Sequence, residues 1–210
     1  MSSFLNTSHE TLTVTPLPAY ITKAQVLALL HDSERMITLN PLVTAYHLQP
    51  ASAAIAFFKG EPAENQPQGE VEEVPIYSVT DDLAGGGKEA EAEGGSWRGG
   101  WAKRFIPDSI TYNSSMQNRD DGLVSITHAP MGVNSVTTWL VKDSETDDSG
   151  KPGLVLEERG KVTSNRMLMG FIKTTLQASH EKLVQDFVVE LEKGIAKEKE
   201  TASANASAGA

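Results

Sequence analysis

Alternation of apolar and polar residues runs through most of the chain, with helical spacing near its start and at its end. "ETLTVTPLP" (10–18) alternates, is rich in threonine and is closed by Pro16 and Pro18, which predicts a strand. Thr22 and Gln25 then stand at capping-box spacing, and Val26, Leu27 and Leu30 follow on one helical face. Asp32 or Ser33 ends that helix and caps a second short one, "ERMITL", which stops at Asn40-Pro41. Strands are predicted at 42–49 and 53–58, separated by a turn at Pro50, and again at 74–79. Further strands follow at 97–106, 109–117, 123–128, 133–141 and 154–162, with Pro, Asp and Gly in the turns between them. Short strands so punctuated describe an antiparallel meander.

The last helical stretch covers about 164–192 and can be capped by Ser164 or Asn165. Leu168, Ile172, Leu176, Leu183, Phe187 and Leu191 recur on it at the spacing of one apolar stripe. The order predicts an α+β fold: a strongly curved antiparallel sheet wrapped on a long C-terminal helix, with two short helices after the first strand. A bent sheet and a straight helix do not fill the volume between them, so a cavity is expected there.

Composition adjusts this picture locally. Hydrophobic residues make up 39% of the 210, somewhat low for a compact protein. The deficit sits in two acidic stretches, near 59–73 and near 84–96, the second containing "AGGGKEAEAEGG". Such segments bury too little apolar surface to offset the entropy of ordering and are expected to be flexible insertions. They interrupt a single domain spanning 10–192, between a flexible N-terminus (1–9) and a disordered polar tail (193–210). A formal net charge of −10 without a basic run argues against nucleic acid or anionic membranes as partners. With no cysteine there are no disulfides, thiol nucleophiles or cysteine-ligated metals. No secretory signal is visible and no run approaches the ~20 apolar residues of a membrane span, so a cytoplasmic protein is predicted. No pattern speaks to oligomeric state.

This order of elements resembles the START-like (SRPBCC) helix-grip superfamily, which includes polyketide cyclases, aromatase/cyclases, pollen-allergen-type carriers and lipid-transfer domains. More closely, "TVTPLPA", "MITLNPLV", "HAPMGV" and "NRMLMGFIKTTLQASHEKLV" are similar to a fungal family of unknown function within that superfamily. The resemblance covers about residues 10–190 apart from the two acidic insertions. It implies a cavity for a hydrophobic small molecule that is lipid-, polyketide- or terpenoid-like. It carries over no catalytic residue.

Candidate chemistry centres on "SITHAPMGVNSVTTW" (125–139). If 129–132 is a tight turn, residue 128 pairs with 133, 126 with 135 and 124 with 137. His128, Ile126, Ser135, Thr137 and Trp139 then share the more apolar face, which is assigned to the cavity. A histidine there can act as a general base near neutral pH, or it can be a strand-end histidine with ordinary partners. A slip of one residue turns it outward. Trp101, Phe105, Tyr112, Met169 and Ile172 complete the expected lining, and each suits a plain core equally well. No metal or cofactor is predicted: HExxH, GxSxG and a phosphate loop are missing, and adjacent Glu157 and Glu158 point to opposite faces. Two functions compete. One is binding, with transport, of a hydrophobic small molecule. The other is a cofactor-free cyclase, isomerase or dehydratase in which His128 accepts a proton and Ser135, Thr137 or Tyr112 orients the substrate. An interaction module whose acidic loops meet a basic partner is a third.

Overall fold

Residues 6–83, 107–144 and 153–208 are described by the computed structural model of the protein. Its alternating segments form β1 (Asn6–Leu17), β2 (Val43–Leu48), β3 (Ile76–Asp82), β4 (Ser109–Arg119), β5 (Gly122–Ala129), β6 (Val133–Ser144) and β7 (Gly153–Asn165). They make one curved antiparallel sheet of seven strands in the order β1-β7-β6-β5-β4-β3-β2. From β2 to β7 each strand lies beside its predecessor, as a meander requires, and β1 completes the sheet against β7. The strand expected at 97–106 and the insertion near 84–96 fall outside the described residues. Gly122 opens β5 because nothing larger fits: a Cβ there would stand 1.8 Å from the Trp139 carbonyl oxygen.

Both short helices begin on the caps that the spacing predicts. The Gln25 amide donates to Thr22 Oγ1 at 3.3 Å and the Thr22 amide to Gln25 Oε1 at 3.1 Å, starting α1 (Lys23–Leu30). Asp32 Oδ1 accepts from the Arg35 amide at 3.1 Å and starts α2 (Ser33–Thr38). The run 53–58, expected as a strand, is instead α3 (Ser52–Phe58). A short apolar run suits either state by pattern, and tertiary contact decides: Ala54, Phe57 and Phe58, at i, i+3 and i+4, pack on Ile76 and Ile126 of the convex face. The acidic stretch after it holds two 3-10 turns, 63–65 and 71–73. Gln66 Nε2 ties that segment back by donating to the carbonyls of Phe58 and Glu61 at 3.0 and 2.8 Å.

The last helix, α4 (Arg166–Ala208), leaves β7 directly, its first turn capped by Asn165 Oδ1, which accepts from the Leu168 amide at 3.0 Å. It continues well past the predicted end at 192, through residues expected to be a disordered tail. Extending an existing helix needs no new nucleus, and "KEKETASANASA" is rich in good helix formers. On the concave face Val184, Phe187 and Leu191 of α4 meet Trp139, Leu156 and the α1 residues Val26 and Leu30 in the main core.

Candidate functional site

The β5–β6 turn decides which side chains face inward. Ala129 pairs with Val133, His128 with Asn134, Thr127 with Ser135 and Ser125 with Thr137. The loop therefore has three residues, Pro130–Gly132, with Met131 at φ 62 and Gly132 at φ 73. One more loop residue than a tight turn shifts the register by one and sends His128 and Ile126 to the convex face. There Ile126 is buried under α3, and His128 stacks on Phe57 with ring centroids 4.2 Å apart. His128 Nε2 donates to Glu61 Oε1 at 2.8 Å, holding the 3-10 segment on the sheet. This histidine is a strap on the far side of the sheet from the cavity. His128→Ala is expected to lower unfolding stability by about 1 kcal/mol through the lost hydrogen bond and to leave ligand affinity of the cavity unchanged. Urea unfolding beside dye titration checks this, and a fivefold loss of affinity would contradict the register.

Between the concave face and α4 lies a cavity of about 260 Å³. Its walls are largely apolar, with Met36 and Ile37 from α2, Val79, Trp139, and Ile172 and Leu183 from α4. The floor is different. Ser114, Ser125, Thr127, Ser135 and Thr137 stand together on β4, β5 and β6 and all border the cavity. Ser114 Oγ lies 3.0 Å from Ser125 Oγ and 3.2 Å from Thr127 Oγ1. Hydroxyls both donate and accept, so this floor can meet carbonyl or hydroxyl oxygens of a guest.

One edge of the cavity carries a carboxylate. Asp81, 7% exposed, comes from β3, and Tyr112 Oη from β4 donates to its Oδ1 at 3.1 Å and its Oδ2 at 3.3 Å. Asn40 borders the same edge of the cavity, and its polar amide pulls the pKa of both groups down. Burial pushes the Asp81 carboxyl up to about 6, against the opposing pull of those hydrogen bonds. Burial first, then the Asp81 charge, holds the Tyr112 hydroxyl well above its ordinary range, so it stays a donor.

Of the expected lining, Tyr112, Ser135, Thr137, Trp139 and Ile172 border the cavity. Met169 is buried against Val162 and Ile172 instead of bordering it. Trp101 and Phe105 lie outside the described residues. Sequence reasoning missed Asp81, Asn40, Ser114, Ser125 and Thr127. Asp81 carried a usable signal: Tyr77, Val79 and Asp81 alternate along β3, so an acidic residue follows two inward apolar ones. Ser125 and Thr127 were hidden by the register. Elsewhere, Glu157 and Arg159 share a face of β7, with Arg159 Nε 2.6 Å and Lys142 Nζ 2.7 Å from Glu157 Oε1. Among the described residues no cluster of His, Asp or Glu could hold a metal, and no helix is long and apolar enough to cross a membrane.

The fold is similar to that of the Zhui aromatase/cyclase from Streptomyces sp. R1128, at 13% identity and TM-score 0.50, over 90% of this chain and 96% of that one. It is similar to the di-domain ARO/CYC StfQ from the steffimycin biosynthetic pathway, at 10% identity and TM-score 0.52, over 91% of this chain and 53% of that one. The truncated norcoclaurine synthase from Thalictrum flavum aligns at 8% identity and TM-score 0.52, over 90% and 96%. At these identities the likeness is one of fold, the helix-grip architecture. No curated protein sequence matches the chain. The family is set by sequence: the model described as Domain of unknown function (DUF7053) matches residues 6–193, and the chain belongs to that family.

Proposed function

We propose that this protein binds a hydrophobic small molecule, polyketide- or terpenoid-like, between the sheet and α4. The observation that supports it is an apolar-walled cavity of about 260 Å³ whose floor carries five hydroxyl side chains. That volume is a little under the ~300 Å³ at which drug-sized sites begin. It suits a compact ring system with a few oxygens and is too small for a two-chain lipid. Several neighbours in fold are named as cyclases or a synthase, which keeps a cofactor-free catalyst as a second reading of the same cavity.

Native mass spectrometry of the protein purified from the organism that encodes it tests the binding reading. A co-purified apolar compound, released on denaturation, is the expected result. No such compound, together with no saturable binding of an apolar dye, would overturn it. Ile172→Trp places bulk in the cavity from α4 and is expected to weaken dye binding about tenfold, roughly 1.4 kcal/mol. Unchanged affinity would move the site elsewhere.

A further inference from the structure

Binding alone gives no reason for Asp81. A carboxylate taken out of water is costly unless a cation compensates it. Asp81 and Tyr112 are the only titratable side chains among the described lining residues, and that lining holds no Lys, Arg or His. The neighbouring wall is Val43, Val79, Leu83 and Ile110, all apolar, and α4 faces the cavity with Leu168, Ile172 and Leu183. Leucine or asparagine at position 81 would serve packing better.

The polar surroundings of Asp81 have a direction. The Leu42 amide donates to Asn40 Oδ1 at 3.1 Å, which leaves the NH2 as the donor that Asn40 brings to the cavity edge shared with Asp81 and Tyr112. Tyr112 donates to both carboxylate oxygens. An ionised carboxylate accepts at about four lone-pair positions, so these donors orient the group and leave acceptor capacity for a guest. Two residues along the same face of β4, on the order of 7 Å away, the hydroxyl floor begins at Ser114. A base and a set of oxygen-binding hydroxyls thus border one small apolar space.

We propose that Asp81 is a general base that removes a proton from the carbon next to a carbonyl in a compound held in this cavity, with Tyr112 and Asn40 as positioning residues. This rests on the binding reading above and adds a reaction class to it. In the step, an Asp81 oxygen takes the C–H proton, the C–H electron pair becomes the carbon–carbon π bond, and the carbonyl π pair moves onto oxygen as an enolate. Floor hydroxyls donate to that oxygen. Asp81, now a carboxylic acid, swaps that proton with solvent before reprotonating the same carbon, which gives exchange, or delivers it to the far end of a conjugated system, which gives isomerisation. Atoms and electrons balance without oxidant, reductant or metal. A base is most effective when its pKa lies near the working pH, and burial supplies that condition here.

The test uses the whole protein and the compact ketone 2-tetralone in D2O, with loss of the C1 proton signal followed by NMR and binding read by saturation transfer in the same samples. Wild type is expected to accelerate exchange over buffer, with the rate rising through about pH 6. Asp81→Asn is expected to lower that rate about 100-fold or to the buffer level while 2-tetralone still binds. Tyr112→Phe removes a hydrogen bond that lowers the Asp81 value, so its profile is expected to shift to higher pH without vanishing. A purely structural Tyr112 would change stability and leave the profile in place. Exchange by Asp81→Asn at the wild-type rate, or no exchange by wild type, overturns the inference. Binding of 2-tetralone without exchange leaves the binding reading standing and removes only the base.

Discussion

Replacing Phe187 by alanine is expected to cost about 3–5 kcal/mol of unfolding stability, the range for truncating a fully buried aromatic. Phe187 is 0% exposed and sits where α4 crosses the concave face. Its ring stacks on Trp139 with centroids 6.2 Å apart and planes 18° apart, a contact that adds to simple burial. Val26 and Leu30 of α1 and Leu156 of β7 belong to the same cluster, so the ring joins three layers of the fold. A typical domain has about 5–15 kcal/mol in total, so the variant is left marginal. The same truncation loosens α4 as a wall of the cavity, and ligand affinity is expected to fall with stability. Urea unfolding followed by far-UV circular dichroism measures the first effect. A loss under 1 kcal/mol would mean that α4 is held chiefly by other contacts.

Asp81→Asn is expected to do the opposite at neutral pH: it stabilises the fold by up to about 3 kcal/mol at pH 7, since each pKa unit is worth about 1.4 kcal/mol. The carboxyl titrates at about 6 in the folded protein against an ordinary value of 3.8. Across that window the folded state holds a proton that the unfolded chain has released. The contribution of Asp81 to stability is therefore fully present below about pH 4 and is lost as pH rises through 6. Asparagine carries no charge and keeps an oxygen to accept from Tyr112, so it escapes the loss. Urea midpoints of the two proteins at pH 4, 5, 6 and 7.5 should lie close together at the acid end, draw apart between about pH 4 and 6, and keep a constant separation above that window. A difference that stays constant with pH, or a variant less stable at pH 7, would contradict the burial of this carboxylate. Taken with the exchange experiment, the expected pair of results is a variant that is more stable and inactive. That combination marks a residue kept for chemistry at the expense of the fold.

Much of the architecture was legible because it rests on local rules. Thr22 and Gln25 cap α1 by their own side chains, and Asp32 caps α2, so those helix starts need no distant partner. Alternation with turn residues placed the described strands of the meander within a few residues of their ends. The stripe through Ile172, Phe187 and Leu191 marked the face of α4 that packs inward. The site was less legible. Strand side chains change face at every residue, so one extra residue in a loop reverses a whole strand. Pro130, Met131 and Gly132 supply that residue, and Met131 does so at a positive φ that few non-glycine residues adopt. His128 consequently went to the strap on α3, while Ser125 and Thr127 came to the floor.

The chain by itself determined the helix-grip order, the caps and the amphipathic last helix. Only the tertiary structure decided that 53–58 is a helix, because its apolar residues match the convex sheet surface at helical spacing. It alone decided the register of β5 on β6, which depends on backbone angles in three loop residues. It also joined Asp81, Tyr112 and Asn40, which come from different elements and meet only once the sheet has curved over the cavity.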